Sequence, residues 1–338
     1  MRTIELAAAP PIPGIRFRQF GGEADLPAML RVYDAAHRAD GIDEVTTLEQ
    51  LRLNYANLVN CDPERDITMV EVDGELVAYA RVFWQELVDG GRSYECFGFV
   101  HPDWRRRGIG GALLRHNESL VRRTAADHEG VTPKWFSSEG VERDAGNMAL
   151  LRREGYAAAR YFYEMVAPSL DEIITPSMPD GVQLRPVERT AYRAIWEAQA
   201  EAFRDHWGEA EWTDADWRRF DADPDNADPR FWRVGWDGNE IAGVVTTTVP
   251  VEENARHGRL RVYVSGVSVR RPWRRRGLAR SLLASSLASA REAGFTSAGL
   301  GVDTDSPTGA TDLYRSLGFA PEQTIIAWRK PLDVAGET

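Results

Sequence analysis

Residues 268–283 read SVRRPWRRRGLARSLL, and residues 99–114 read FVHPDWRRRGIGGALL. Each stretch closes a β-branched and aromatic run (RVYVSGVSV, 261–269; YECFGFV, 94–100), turns on an arginine triplet and a glycine, and continues with apolar residues at helical spacing. The pattern predicts a strand, a tight turn and a helix, with Leu282, Leu283, Leu287 and Ala290 on one helical face. A glycine turn at a helix start exposes backbone N–H groups and the positive end of the helix dipole, a geometry that suits a pyrophosphate. Gly277 and Ala279 would let phosphates approach the backbone, and the flanking arginines add charge. One such turn occurs by chance in many chains, whereas two at matching positions are far more specific.

The turns belong to a longer repeat. DGELVAYA (73–80) is matched by DGNEIAGV (237–244), and LLRREGYAAARYFY from Leu150 by DLYRSLGFAPEQTI from Asp312. The offsets Asp73/Asp237, Arg105/Arg274 and Gly155/Gly318 are 164, 169 and 163 residues. Near-equal spacing of three landmarks predicts two homologous domains, and the period is too long for a solenoid. The proline-rich stretch APSLDEIITPSMPDG (167–181) separates them, giving expected domains at 15–166 and 182–332. Within each, hairpins about an Asp-Gly turn mix with strand–helix alternation. The expected fold class is α/β (an α+β mixed sheet), each domain a mostly antiparallel twisted sheet flanked by helices and closed by its own last strand.

Composition removes several classes. The chain has 338 residues and a net charge of −11, which argues against a nucleic-acid binder with a basic face. Five arginines in the seven residues 270–276 could form a basic patch, but a patch does not explain the strand–turn–helix setting. The only lysines, Lys134 and Lys330, do not follow a glycine, so there is no Walker A loop. The six histidines show no zinc spacing, Cys61 and Cys96 stand alone, and no GxSxG occurs. The arginine-first order of the turn, mid-domain, also fails the Rossmann pattern. No apolar run suggests a signal peptide or membrane span, and a cytoplasmic protein is expected.

VSVRRPWRRRGLARSLL (267–283) and DLYRSLGF (312–319) resemble the acetyl-CoA-binding and C-terminal motifs of the GNAT acyltransferase superfamily. The resemblance spans both halves, and the tandem arrangement with a better-equipped second half is similar to that of mycothiol synthase and related acetyltransferases. It implies acetyl-CoA as co-substrate and no metal. The backbone of Val267, Ser268 and Val269 would bond the pantetheine arm, with a bulge splaying the sheet. Arg274, Arg275, Arg276, Gly277, Leu278, Ala279 and Arg280 would hold the pyrophosphate. Tyr314, four residues before Gly318, corresponds to the family tyrosine that protonates the departing thiolate, although an aromatic there could also simply pack. In the first copy Val100, Arg105, Arg107, Gly108 and Gly110 form the matching turn, but Leu151 stands at the tyrosine position and can donate no proton. The first domain is therefore expected to be degenerate, whether or not it still binds acetyl-CoA.

A base or water chain must take the amine's proton. The strand 261–269 carries no acidic residue where family members often have one, while the first copy has Glu95 there. Glu201, Asp205 and His206 in EAFRDHWG are the alternatives, with His206 preferred. Eight of the eleven tryptophans lie in the second half, as core or as walls for a cation. Ser306 occupies a place where relatives often have asparagine. The expected activity is acetyl-CoA-dependent N-acetylation of a small-molecule primary amine by direct attack on the thioester in the C-terminal domain. Alternatives are a non-catalytic acetyl-CoA-binding sensor or scaffold, a mycothiol synthase-like reaction, and protein N-acetylation. The expected partners are the amine alone, without nucleic acid or membrane, in a monomer or homodimer.

Overall fold

A computed structural model describes residues 2–332 apart from 129, 131, 132 and 307. The first half runs β1 (Thr3–Ile4), β2 (Ile15–Gln19), α1 (Leu26–Asp40), α2 (Leu48–Ala56), α3 (Pro63–Asp66), β3 (Ile67–Val72), β4 (Glu75–Glu86), β5 (Arg92–Val100), α4 (Ile109–Ala126), β6 (Lys134–Val141), α5 (Ala145–Arg153) and β7 (Ala157–Ala167). The second runs β8 (Val182–Leu184), α6 (Tyr192–Phe203), α7 (Asp214–Ala222), β9 (Arg233–Asp237), β10 (Glu240–Thr248), α8 (Val251–His257), β11 (Arg261–Val269), α9 (Leu278–Glu292), β12 (Ser297–Asp303), α10 (Ala310–Arg315) and β13 (Ala320–Pro331).

The chain forms two compact units: unit 1 comprises the residues up to Arg160 and those from Ile325 on, and unit 2 comprises Tyr161–Thr324. Unit 1 orders its strands β1-β2-β3-β4-β5-β6, followed by Ile325–Pro331 of β13. Unit 2 orders them β8-β9-β10-β11-β12, followed by Phe162–Ala167 of β7. In each, one central pair is parallel (β5/β6 and β11/β12) and the other pairs are antiparallel. The mixed α/β class and the tandem repeat are as the sequence predicts.

The expected boundaries, 15–166 and 182–332, need correcting at the last strand of each copy. Phe162–Ala167, which ends the first copy in sequence, pairs with β12 of unit 2. Ile325–Pro331, which ends the second, pairs with β6 of unit 1. Both segments are largely apolar (FYEMVA and IIAWRKP), and such a run marks a strand without stating which neighbour it bonds. Burial decides the matter: Met165 and Ala167 lie in the unit 2 core, Ile326 and Trp328 in that of unit 1.

Local chemistry explains the elements that carry the site. In the β3–β4 hairpin Asp73 and Gly74 both take positive φ (50° and 87°), the conformation that the short Asp-Gly turn requires. α9 buries Leu278, Leu282, Leu283, Leu287 and Ala290 against one face of the unit 2 sheet, with Val245, Val262 and Val264 beneath. α6 covers the opposite face, packing Tyr192, Ile195 and Ala198 against Val234, Ile241 and Val244. The stretch 168–181 is not a free linker, because Leu170 joins the unit 2 core and Ser281 of α9 donates to the Ser177 carbonyl at 2.9 Å.

Candidate active site

β11 pairs in parallel with β12 only from Arg261 to Val264 (against Ser297 to Leu300). One residue later its antiparallel register with β10 slips: Thr246 faces Gly266, but Thr247 faces Val264, so Ser265 is an extra residue. This is a β-bulge, and it bends the strand where the parallel pairing stops. Ser265 Oγ donates at the bulge to Thr246 Oγ1 (3.1 Å), which also accepts from Gln199 Nε2 (3.3 Å). Glycine fits there, since a Cβ at Gly266 would lie 2.7 Å from Gln199 Nε2 and 2.9 Å from Thr246 Oγ1 and displace them. Beyond it, Val267, Ser268 and Val269 remain bonded to β10 and have no β12 partner among the described residues. Their free edge is the kind of backbone that an extended amide chain such as pantetheine can bond.

The turn that follows is built for backbone exposure. Arg275 adopts φ 61°, Gly277 φ 83°, and α9 starts at Leu278. A Cβ on Gly277 would meet nothing within 4 Å. The turn arginines divide their roles. Arg274, expected to face the phosphates, instead turns inward: it donates to Asp205 Oδ2 (2.6 Å) and to the carbonyls of Val269 (2.9 Å) and Ala202 (3.0 Å). Through these three bonds it ties the turn to the end of α6. Arg280 donates to Ser316 Oγ at 3.0 Å.

Unit 1 repeats the turn and lacks its surroundings. Arg106 (φ 62°) and Gly108 (φ 90°) reproduce the backbone, and Arg105 turns inward to Asp40 at 2.6 and 2.7 Å. Arg107 stacks over Trp104, and Gly110 lies against Leu150 and Val100. However, Pro10 covers Gly108, with its Cβ 3.3 Å from where a glycine Cβ would be. β4 and β5 stay in register from Ala78↔Val100 to Glu86↔Arg92, with no bulge. Leu151 is buried in the core at the tyrosine position. Glu95 and Ser137 share a hydrogen-bond relay through Ser93, and burial pushes the Glu95 carboxyl up to about 7.

In unit 2, Tyr314 of α10 is buried beside Phe319, and burial pushes its hydroxyl up to about 12, so it keeps its proton at neutral pH. The three base candidates separate. Glu201 is ion-paired to Arg270 at 2.7 Å. Asp205 is held by Arg271 and Arg274 well below the usual carboxylate range, which leaves it too weak a base to take an amine's proton. His206 is half-buried with its ring edge-on to Phe203, and burial lowers its pKa, partly offset by the charge of Asp303. It is therefore the neutral base of the three. Several second-half tryptophans pack within the unit: Trp196 contacts Trp212 and Trp217, and Trp232 contacts Tyr192. Trp207 instead lies near Phe162 of β7, and Trp328 belongs to unit 1. Ser306 bonds Thr308 at 2.9 Å.

One element of this face escaped the sequence reading. Tyr263 of β11 donates its hydroxyl to both carboxylate oxygens of Glu164 on β7 at 3.2 Å. Val262, Val264, Leu300, Val302 and Met165 pack toward α9, so Tyr263, Gly301 and Glu164 lie on the α6 face. Only the exchange of β7 brings that carboxylate into unit 2.

The profile of the acetyltransferase (GNAT) family matches residues 28–139 and again 192–319. The mycothiol acetyltransferase of Geodermatophilus obscurus is 30% identical, over 96% of this chain and 99% of its own. That of Salinispora arenicola is 32% identical, over 88% and 89%. Among solved structures, a GCN5-related N-acetyltransferase from Sphaerobacter thermophilus superposes with a TM-score of 0.68 at 26% identity, covering 94% of this chain and 95% of that one. A tandem GNAT protein from the clavulanic acid biosynthesis pathway shares the fold, with a TM-score of 0.65 at 18% identity over 96% and 99% of the two chains.

Proposed function

The chain belongs to the acetyltransferase (GNAT) family, an acetyl-CoA-dependent acyltransferase with two tandem domains, and from that premise we propose that unit 2 acetylates the primary amine of a small molecule. The observation that carries the reading is the pairing of the Ser265 bulge with an uncovered turn at Gly277, a combination that unit 1 lacks. In this reading Val267, Ser268 and Val269 bond the pantetheine arm. The N–H groups from Arg275 to Arg280 take the pyrophosphate, with the side chains of Arg275 and Arg276 adding charge, and Arg274 holds the turn in place.

The amine nitrogen attacks the thioester carbonyl carbon, forming the N–C bond while the C–S bond breaks. Its surplus proton passes to His206, kept neutral by burial. Tyr314 gives its proton to the departing sulfur. Backbone donors at the bulge stabilise the developing oxyanion. Unit 1, with its turn covered by Pro10 and leucine in place of tyrosine, serves as scaffold.

A second reading has a specific observation behind it, the end-to-end similarity to mycothiol acetyltransferases. Under it the acceptor is the cysteinyl amine of the mycothiol precursor, with the same acid and base. The test is CoA release from acetyl-CoA over a panel of the mycothiol precursor, polyamines, aminoglycosides and simple alkylamines. Turnover with any amine, reduced about a hundredfold or more in kcat by Tyr314→Phe, supports the proposal. Calorimetric binding of acetyl-CoA without turnover on any of them would favour a sensor.

A further inference from the structure

We propose that unit 1 binds a small zwitterion on the α1 face of its sheet, with the ligand's carboxylate on Arg81, its ammonium on Glu95 and an apolar chain between them over Phe83 and Phe97. A scaffold role leaves this face unexplained, and the inference stands independently of acetyl transfer in unit 2. Val82, Tyr94 and Cys96 belong to the core beneath α4, so their neighbours Arg81, Phe83, Glu95 and Phe97 share the opposite face. On that face α1 and α2 pack over Tyr79 and Phe99. The four residues beyond are only half-buried.

Arg81 is a guanidinium among aromatic rings without a counter-charge. Its Cζ lies 4.6 Å from the centre of the Phe97 ring, 5.2 Å from that of Tyr55 and 5.4 Å from that of Phe83. Its buried Nε has no hydrogen-bond partner, and no carboxylate among the described residues pairs with the side chain. The acidic groups around it stay neutral at pH 7. Burial pushes the Tyr55 hydroxyl and the Cys61 thiol each up to about 12, and the Tyr79 hydroxyl well above its ordinary value. Asp66 is taken by Arg65 at 2.8 Å. Ring faces attract a cation without neutralising it, so a planar, forked donor is left for a carboxylate.

Glu95 is the matching half. Ser93 Oγ donates to its Oε1 at 2.6 Å and bonds Ser137 Oγ, which orients the carboxyl, and no cation among the described residues pairs with it. Burial raises its pKa, while Glu139 and Arg329 act on it in opposite senses. An ammonium brought by a ligand would hold it ionised. The register of β4 and β5 sets the spacing. Arg81 faces Phe97 and Phe83 faces Glu95, so the two charged residues are diagonal neighbours, about 7–8 Å apart. Phe83 and Phe97 fill the other two corners, with ring centroids 6.3 Å apart. An extended ω-amino acid of about six carbons spans that diagonal and lays its methylenes on the rings.

Calorimetric titrations of the full chain, without acetyl-CoA so that no transfer occurs, compare 6-aminohexanoate with hexanoate and hexylamine. The zwitterion is expected to bind about tenfold or more tighter than either singly charged analogue. Arg81→Gln removes its advantage over hexylamine, and Glu95→Gln its advantage over hexanoate, with thermal melts reporting that each variant is folded. Should Arg81→Gln fail to fold, Arg81→Lys keeps the charge, loses the fork and weakens the zwitterion about threefold or more. Equal binding of the three compounds to the wild type, or none, overturns the inference and leaves the acetyltransferase reading standing. So does an advantage that survives in both folded variants, which places the zwitterion away from this face.

Discussion

Arg274 and Asp205, 69 positions apart in the chain, form an ion pair at 2.6 Å that joins the 274–277 turn to the end of α6. The same guanidinium caps the carbonyls of Val269 and Ala202, so one side chain fixes the strand end, the turn and the end of α6. Unit 1 builds the equivalent brace from Arg105 and Asp40. Arg274→Ala is expected to raise KM for acetyl-CoA about tenfold with a smaller change in kcat, because it loosens the turn without removing a reacting group. The partly exposed pair adds about 1 kcal/mol of stability. Steady-state kinetics with thermal melts check both, and an unchanged KM would show the turn to be held by its backbone alone.

The bulge gives a sharper test. Gly266→Ala places a methyl within 3 Å of both Gln199 and Thr246, so these side chains or the strand must shift and the bonds of Thr246 with Gln199 and Ser265 are disturbed. The expected loss of stability is about 1–3 kcal/mol, accompanied by weaker acetyl-CoA binding in calorimetry. Gln199→Ala in the same background should recover part of both, since it removes the nearest clash.

The pH dependence follows from the directions of two shifts. Burial lowers the pKa of His206, so the neutral base predominates at pH 6.5 and kcat should fall mainly on further acidification. Tyr314, pushed up to about 12, gives no alkaline limb below about pH 10. His206→Gln should cost about a hundredfold in kcat, with residual activity rising with pH as the amine loses its own proton. A His206→Gln variant with the wild-type kcat and an acid limb at the wild-type pH would move the base elsewhere.

Glu95 makes unit 1 sensitive to pH in the opposite sense to an ion-paired carboxylate. Its folded pKa, about 7, lies above the unfolded value near 4.3. Between those values the folded state binds more protons than the unfolded one, so stability falls as pH rises. Glu95→Gln, which cannot ionise, should flatten that slope and leave the protein about 1–3 kcal/mol more stable than wild type at pH 8. Denaturant titrations of both proteins from pH 4.5 to pH 8 read the difference directly.

The duplication, the Asp-Gly hairpins, the strand–turn–helix element and the positions of Gly277 and Tyr314 were all legible in the sequence, because turns, helix starts and periodicities are written within a few neighbouring residues. The exchange of β7 and β13, the inward turn of Arg274 onto Asp205, the cover of Pro10 over Gly108 and the reach of Tyr263 to Glu164 were not. Each joins residues far apart in the chain, and an apolar strand carries the same sequence whichever neighbour it bonds. Which edge a strand joins is settled only in three dimensions, where Met165 and Ala167 find the unit 2 core and Ile326 and Trp328 that of unit 1.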